Sequence, residues 1–161
     1  MKKTILLLTA LLISVTASAQ FEKDKTYVGA SLTGLNLNYS GIGDLSLGVQ
    51  AKAGYMVDDN LMVFGEAAYN HEGKSDAGDL LSAGVGGRYY IVQNGIFLGA
   101  NCKFIHGFHS YNDVMPGVEV GYAYFISRTV TIEPSIYYQQ SFKNHSDYST
   151  IGFKIGFGVY L

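Results

Sequence analysis

The last nine residues, FKIGFGVYL (153–161), decide how the chain must fold. Phe153, Ile155, Phe157, Val159 and Leu161 alternate there with Lys154, Gly156, Gly158 and Tyr160. Side chains of a β-strand point alternately to the two faces of a sheet. A strand over this stretch is therefore wholly apolar on one face and polar or small on the other. A soluble sheet would bury the apolar face under a second layer, whereas a membrane barrel would turn it to lipid. The charge pattern along the rest of the chain separates the two.

Upstream, the sequence shows no helical period, but segments of about ten alternating residues divided by turn residues. They run from Thr26 to Tyr39, Leu45 to Val57, Leu61 to Tyr69, Leu81 to Ile91 and Ile96 to His106. Val118, Val120, Tyr122 and Tyr124 mark a sixth, Val130, Ile132, Ile136 and Tyr138 a seventh, and the quoted tail is the eighth. The connections alternate in length. Asp58-Asp59-Asn60, Asn94-Gly95 and Ser127-Arg128 are tight turns, and Asn-Gly suits a two-residue hairpin. Ser40 to Asp44, Asn70 to Asp79, Gly107 to Pro116 and Gln140 to Ser149 are longer and polar. Short turns at one end and longer loops at the other predict an all-β, eight-stranded antiparallel up-and-down transmembrane barrel.

The charges fall on one side of that pattern. Lys52, Glu66, Arg88, Lys103, Glu119, Glu133 and Lys154 all lie on the face opposite the apolar set. A basic residue facing lipid near the midplane would cost about 2–4 kcal/mol. A lipocalin-like soluble barrel needs the reverse arrangement and is rejected. With Val57 opposite Leu61 across the first turn, Lys52 lies opposite Glu66, where opposite charges attract. The other five sit at similar heights, which predicts an ionic belt inside the barrel. Glycines 48, 54, 84, 86, 99, 121, 152, 156 and 158 share the inner face and make room for it. Eight strands enclose only enough space for side chains, so the interior is expected to be packed. Two local irregularities are expected. The phase of strand one changes near Thr33-Gly34, as a bulge would cause, and Pro134, which removes a ladder donor in strand seven, is expected to bring a bulge or an irregular hydrogen bond.

Lys2 and Lys3, the apolar run Ile5 to Val15 and the small residues Ala17-Ser18-Ala19 read as a secretory signal peptide over 1–19. The barrel domain is then expected over 20–161, starting at Gln20. The whole chain has 13 Asp and Glu against 11 Lys and Arg, and no basic run to suggest nucleic acid. Cys102 is the sole cysteine, so no internal disulfide forms. Tyr55, Tyr89 and Tyr124 near the short turns, and Tyr69 and Tyr138 near the long loops, suit the two membrane interfaces.

The segment GYMVDDNLMVFGEAAYN (54–70) resembles the strand–turn–strand hairpin of the small eight-stranded outer-membrane proteins of Gram-negative bacteria, the outer-membrane protein X and A transmembrane-domain type. The ending resembles that family's barrel-assembly signal, carried here by Lys154, Gly156, Val159 and Leu161; a terminal Phe is more usual than Leu. The resemblance covers 26–161. It implies an outer-membrane location, contact with outer-membrane lipid and with the assembly machinery during biogenesis, and a monomer. The role expected is structural, or a surface interaction with an unidentified extracellular ligand through short loops. His71, His106, His109, Tyr111, Asp113 and His145 are the candidate loop contacts. A small pore is the alternative, disfavoured by opposed charges in a narrow bore. A lipid-modifying enzyme is another, because His106, His109, Ser110 and Asp113, or His145, Ser146 and Asp147, place hydrolytic residue types together. Neither cluster has the spacing associated with the family's enzymes, so no catalytic residue is assigned. No cofactor or metal is expected, although His106, His109, His145 and Asp113 are the residue types that would chelate one.

Overall fold

The computed structural model describes residues 21–38, 47–71, 80–91, 95–107, 111–143 and 149–161. The expected signal peptide lies outside them, as do Asn94, His109 and His145. The described strands are β1 (Thr26–Asn38), β2 (Leu47–Asp58), β3 (Leu61–His71), β4 (Leu80–Tyr90), β5 (Ile96–Gly107), β6 (Tyr111–Tyr122), β7 (Tyr124–Phe125), β8 (Val130–Gln139) and β9 (Thr150–Tyr160). Each pairs antiparallel along the chain, and β1 pairs with β9 to close the ring. β6 and β7 both pair with β8 and form one stave interrupted at Ala123, so the barrel has eight staves.

Alternation sorts the side chains as the pattern requires. Val85 is 68% exposed on the outer face of β4, and Arg88, three residues on, is 2% exposed inside. Leu32, Leu81, Leu98, Phe104, Val118, Ile136, Ile151 and Phe157 are among the exposed apolar groups around the outside. Tyr55, Tyr69, Tyr89 and Tyr124 join them. Among the described residues, the strand Lys, Arg and Glu side chains lie inside, and the one exposed strand Asp is Asp58, beside a turn.

The register of β1 on β9 steps between Thr33 and Leu35, the irregularity that the phase change at Gly34 predicts. The first hairpin is tighter than its sequence reading. Leu61 faces Asp58, not Val57, because the register shifts between Met56 and Asp58. Asn60 takes a left-handed φ of 64° in the turn, a conformation asparagine tolerates better than most residues. The shift lies beyond Lys52, which remains opposite Glu66. Pro134 introduces no extra residue. Gly121 faces Ser135 and Tyr124 faces Ile132 in one continuous register, and only the pairing between them lapses. On its other side the stave keeps to the register of β5, the Ala123 N–H donating to the Gly95 carbonyl at 2.8 Å.

A larger difference concerns β6, which starts at Tyr111 and so includes most of the expected loop Gly107 to Pro116. Pro116 is a stave residue opposite Cys102. The outward face continues from Val118 back through Val114 to Asn112, so the same period-two pattern was present, punctuated by polar residues that read as a turn.

At the short-turn end an apolar floor closes the bore. Phe21, just before β1, stacks on Tyr90 with centroids 3.9 Å apart and meets Phe125 and Tyr160 edge-on. Its carbonyl accepts the Asn60 N–H at 2.8 Å, and the Lys23 N–H donates to Asp59 at 3.0 Å. Tyr27, Met56, Met62 and Phe97 complete the floor.

Inner glycines set how closely the walls approach the contents. A Cβ on Gly121 would lie 2.6 Å from Ser135 Cβ and 2.7 Å from the Pro134 carbonyl oxygen, and that backbone atom cannot yield. Gly65 faces outward, and its nearest neighbour to an added Cβ is 3.9 Å away. Gly121→Ala is expected to lower the unfolding free energy of the refolded barrel by about 1–3 kcal/mol, with Gly65→Ala near neutral. Urea titration in lipid vesicles compares them.

Candidate functional site

The inner charges converge on Glu119 of β6. Its Oε1 accepts from Arg88 Nε at 3.0 Å, Arg88 Nη2 at 2.8 Å and Lys52 Nζ at 3.2 Å. Its Oε2 lies 2.5 Å from Lys154 Nζ. One carboxylate thus gathers cations from β2, β4 and β9, which are not neighbours of β6 in the ring. Glu133 of β8 forms the second node, accepting from Arg88 Nη1 at 2.7 Å, Tyr27 at 2.9 Å, Thr131 at 2.8 Å and Tyr160 at 3.2 Å. Glu66 of β3 is the third. It accepts from Gln50 at 2.6 Å and Asn101 at 2.9 Å, and lies 3.4 Å from Lys103 Nζ and 3.6 Å from Lys52 Nζ.

Burial explains this density of contact. An ion removed from water needs both a counter-charge and enough hydrogen bonds, or the desolvation cost is not recovered. Arg88 meets that need by spanning two carboxylates with its planar fork. Its guanidinium also stacks over the Phe97 ring, 3.9 Å from the centroid, and Lys52 Nζ sits 3.9 Å over Phe64. Tyr90 and Tyr160 join hydroxyl to hydroxyl at 2.7 Å and tie the ionic layer to the aromatic floor.

The opposed pair Lys52 and Glu66 is present at its expected register, yet Lys52 is nearer to Glu119 across the bore. In so narrow a barrel a long side chain reaches the centre, where staves that never touch share partners. Gln50, Asn101, Thr131, Tyr27, Tyr90 and Tyr160 belong to the network although sequence reasoning, which followed charge alone, passed them over. Their signal was phase: Gln50 shares the parity of Lys52, Asn101 that of Lys103, and Thr131 that of Glu133.

The candidate loop contacts scatter. Asp113 is a correction: it lies on β6, 6% exposed and inside the barrel. Its Oδ2 accepts from Ser141 Oγ at 2.6 Å and its Oδ1 from the Val114 N–H at 2.8 Å. His106 is exposed on the outer face of β5, with Nδ1 2.7 Å from Asn112 Oδ1. His106 and Asp113 are therefore on opposite faces of the wall, and neither the hydrolytic nor the chelating grouping can include both. His71 ends β3 and Tyr111 begins β6. Among the described residues no three His, Cys, Asp or Glu side chains come together as a metal site. In the terminal strand Lys154 points in to Glu119 and Gly156 lies inside beside Ser31 and Glu133. Val159 faces outward and Leu161 is 70% exposed.

Glu119→Gln removes the one carboxylate that three buried cations share: Lys154 loses its carboxylate partner, and Arg88 and Lys52 keep only Glu133 and the more distant Glu66, whereas Glu66→Gln leaves Lys52 its closer partner. Glu119→Gln is expected to cost about 3–5 kcal/mol, more than Glu66→Gln, and Lys154→Met added to it should recover part of the loss. Urea midpoints of the four proteins give the comparison.

The family described as outer membrane protein beta-barrel domain matches residues 5–160. No curated protein sequence matches the chain significantly. Among solved structures, Neisserial surface protein A is similar, with TM-score 0.62 and 17% identity, over 84% of this chain and 96% of that one. The N-terminal barrel domain of Pseudomonas aeruginosa OprF aligns with TM-score 0.57 and 12% identity, over 86% and 98%. Ail, the attachment invasion locus protein of Yersinia pestis, aligns with TM-score 0.55 and 15% identity, over 86% and 99%. At these identities the likeness is one of fold. With its closed ring and lipid-facing exterior, the chain belongs to the outer membrane protein beta-barrel domain family and is an integral protein of the Gram-negative outer membrane.

Proposed function

We propose that the protein is a closed, non-conducting barrel without catalytic activity, and that its role is structural or is exercised by the loops at its long-loop end. The observation that carries this reading is the filled bore. Arg88, Glu119, Glu133, Lys52 and Lys154 bond to one another across it, and Phe21, Tyr90, Phe97 and Tyr160 close it below. Opening a path for ions would mean separating buried ion pairs, each costly to break. What remains free to meet the surroundings is the rim. Loops on a rigid scaffold are the usual place for recognition, and Phe142, 74% exposed after β8, is a large apolar group on offer there. A small pore is the competing reading.

Purified residues 20–161, refolded into a planar bilayer after gel migration shows a heat-modifiable barrel, are expected to give no steady single-channel conductance. Stable unitary currents would mean that the charged layer lines a pore, and the reading would fail.

The ring supports a monomer, since among the described residues every stave has two hydrogen-bonded neighbours and leaves no free edge for a second chain. Outer-membrane lipid is then the standing partner. We further propose that Lys154, Gly156, Val159 and Leu161 address the chain to the assembly machinery. The Leu161 backbone bonds Thr26 in both directions at 2.8 and 2.9 Å, whereas its side chain is free of the barrel. Leu161→Asp is therefore expected to refold normally in detergent yet reach the outer membrane of cells at a reduced level. Equal levels for both proteins in membrane fractions would count against the signal.

A further inference from the structure

Between the ionic layer and the wall formed by β1, β8 and β9 lies a small polar cavity. Ser31, Gln50, Lys52, Arg88, Ser135 and Lys154 line it, with Glu133 at one side. About 10 Å³ is available there to the centre of a small guest, which fits one water or one monoatomic ion.

The charges around the cavity are unequal. Three of the four cations in the layer, Lys52, Arg88 and Lys154, border it, against one carboxylate. Both oxygens of that carboxylate are committed: Glu133 Oε1 to Thr131 and Tyr160, and Oε2 to Tyr27 and Arg88. Across the whole layer Lys52, Arg88, Lys103 and Lys154 face Glu66, Glu119 and Glu133, one negative charge short. The next carboxylate, Asp113, lies on the long-loop side of Lys103, which faces Met115, and its oxygens accept from Ser141 and Val114. Ser135 supplies a second, independent sign. Its hydroxyl is 3% exposed, borders the cavity, and has no hydrogen-bond partner among the described residues. Gln50 does not meet that need, since its oxygen takes the Ser31 hydroxyl at 3.0 Å and its nitrogen is given to Glu66.

We propose that this cavity is a site for one small monoatomic anion, chloride in the cell, held by Lys154, Lys52 and the Ser135 hydroxyl. A halide accepts from the ammonium groups and the hydroxyl together and balances the surplus cation locally, where a low dielectric penalises unbalanced charge. A water would occupy Ser135 and leave the surplus in place. The site is a structural one and is independent of what the loops contact.

Refolding and crystallising the barrel in sodium bromide, with diffraction data collected at the bromine edge, tests it. A single anomalous peak in contact with Lys154 Nζ and Ser135 Oγ is expected. Water-like density without anomalous signal, or no density, would overturn the proposal. A solution measurement stands beside it. At equal ionic strength, the urea midpoint in vesicles should be higher in sodium chloride than in sodium gluconate, whose anion is too large for the cavity. Ser135→Ala, which keeps the wall and removes the hydroxyl, should shrink that difference. Equal midpoints for the wild-type barrel in the two salts would also overturn it.

Discussion

A carboxylate buried among three cations governs this barrel. Glu119 is 2% exposed at its side chain and is contacted by Arg88, Lys52 and Lys154, which come from strands that reach it only across the bore. Such an arrangement is stable only where each charge is met and its hydrogen bonds are filled. The wall must then be narrow enough for long side chains to meet at its centre, and small enough in its own side chains to admit them. The inner glycines answer the second need. A Cβ on Gly99 would stand 2.6 Å from Glu119 Cγ, so the hub occupies space that only glycine leaves.

The same wall has to satisfy lipid on its other face. Each strand carries two opposed solvation problems on alternate residues, and a slip of one residue would exchange them. The register shifts fall where they do least harm to this division. One lies between Thr33 and Leu35, the other between Met56 and Asp58 beside a turn, and Lys52 opposite Glu66 is untouched. Pro134 is accommodated by losing a ladder contact without a change of phase, so Glu133 and Ser135 both remain inside.

The two ends of the bore differ in kind. The short-turn end is sealed by stacked and edge-on aromatic rings around Phe21, whose place depends on backbone bonds to Asn60 and on Lys23 binding Asp59. The long-loop end is polar, with Asp113, Ser141 and Ser149 buried together and Lys143 donating to the Asn112 carbonyl at 2.7 Å. The surface role we propose belongs to that polar rim, since the charged groups of the stem bond chiefly to one another.

Fold class, strand phase and the inward placement of Lys52, Glu66, Arg88, Lys103, Glu119, Glu133 and Lys154 were legible in the sequence by itself, since alternation is a local property and lipid tolerates no strand charge. The bulge at Gly34 was legible for the same reason, as a change of parity. The start of β6 was not, because Asn112, Asp113 and Pro116 are turn formers by composition and only pairing with β5 extends the strand through them. Partner choice inside the barrel also escaped. Parity gives the face and counting from the turns gives the height, but neither states which staves stand opposite across a closed ring. That Lys52 is closer to Glu119 than to its ladder neighbour Glu66, and that Arg88 bridges Glu119 and Glu133, are consequences of closure. Only the tertiary structure decided them, because the distances that matter run across the bore and not along the chain.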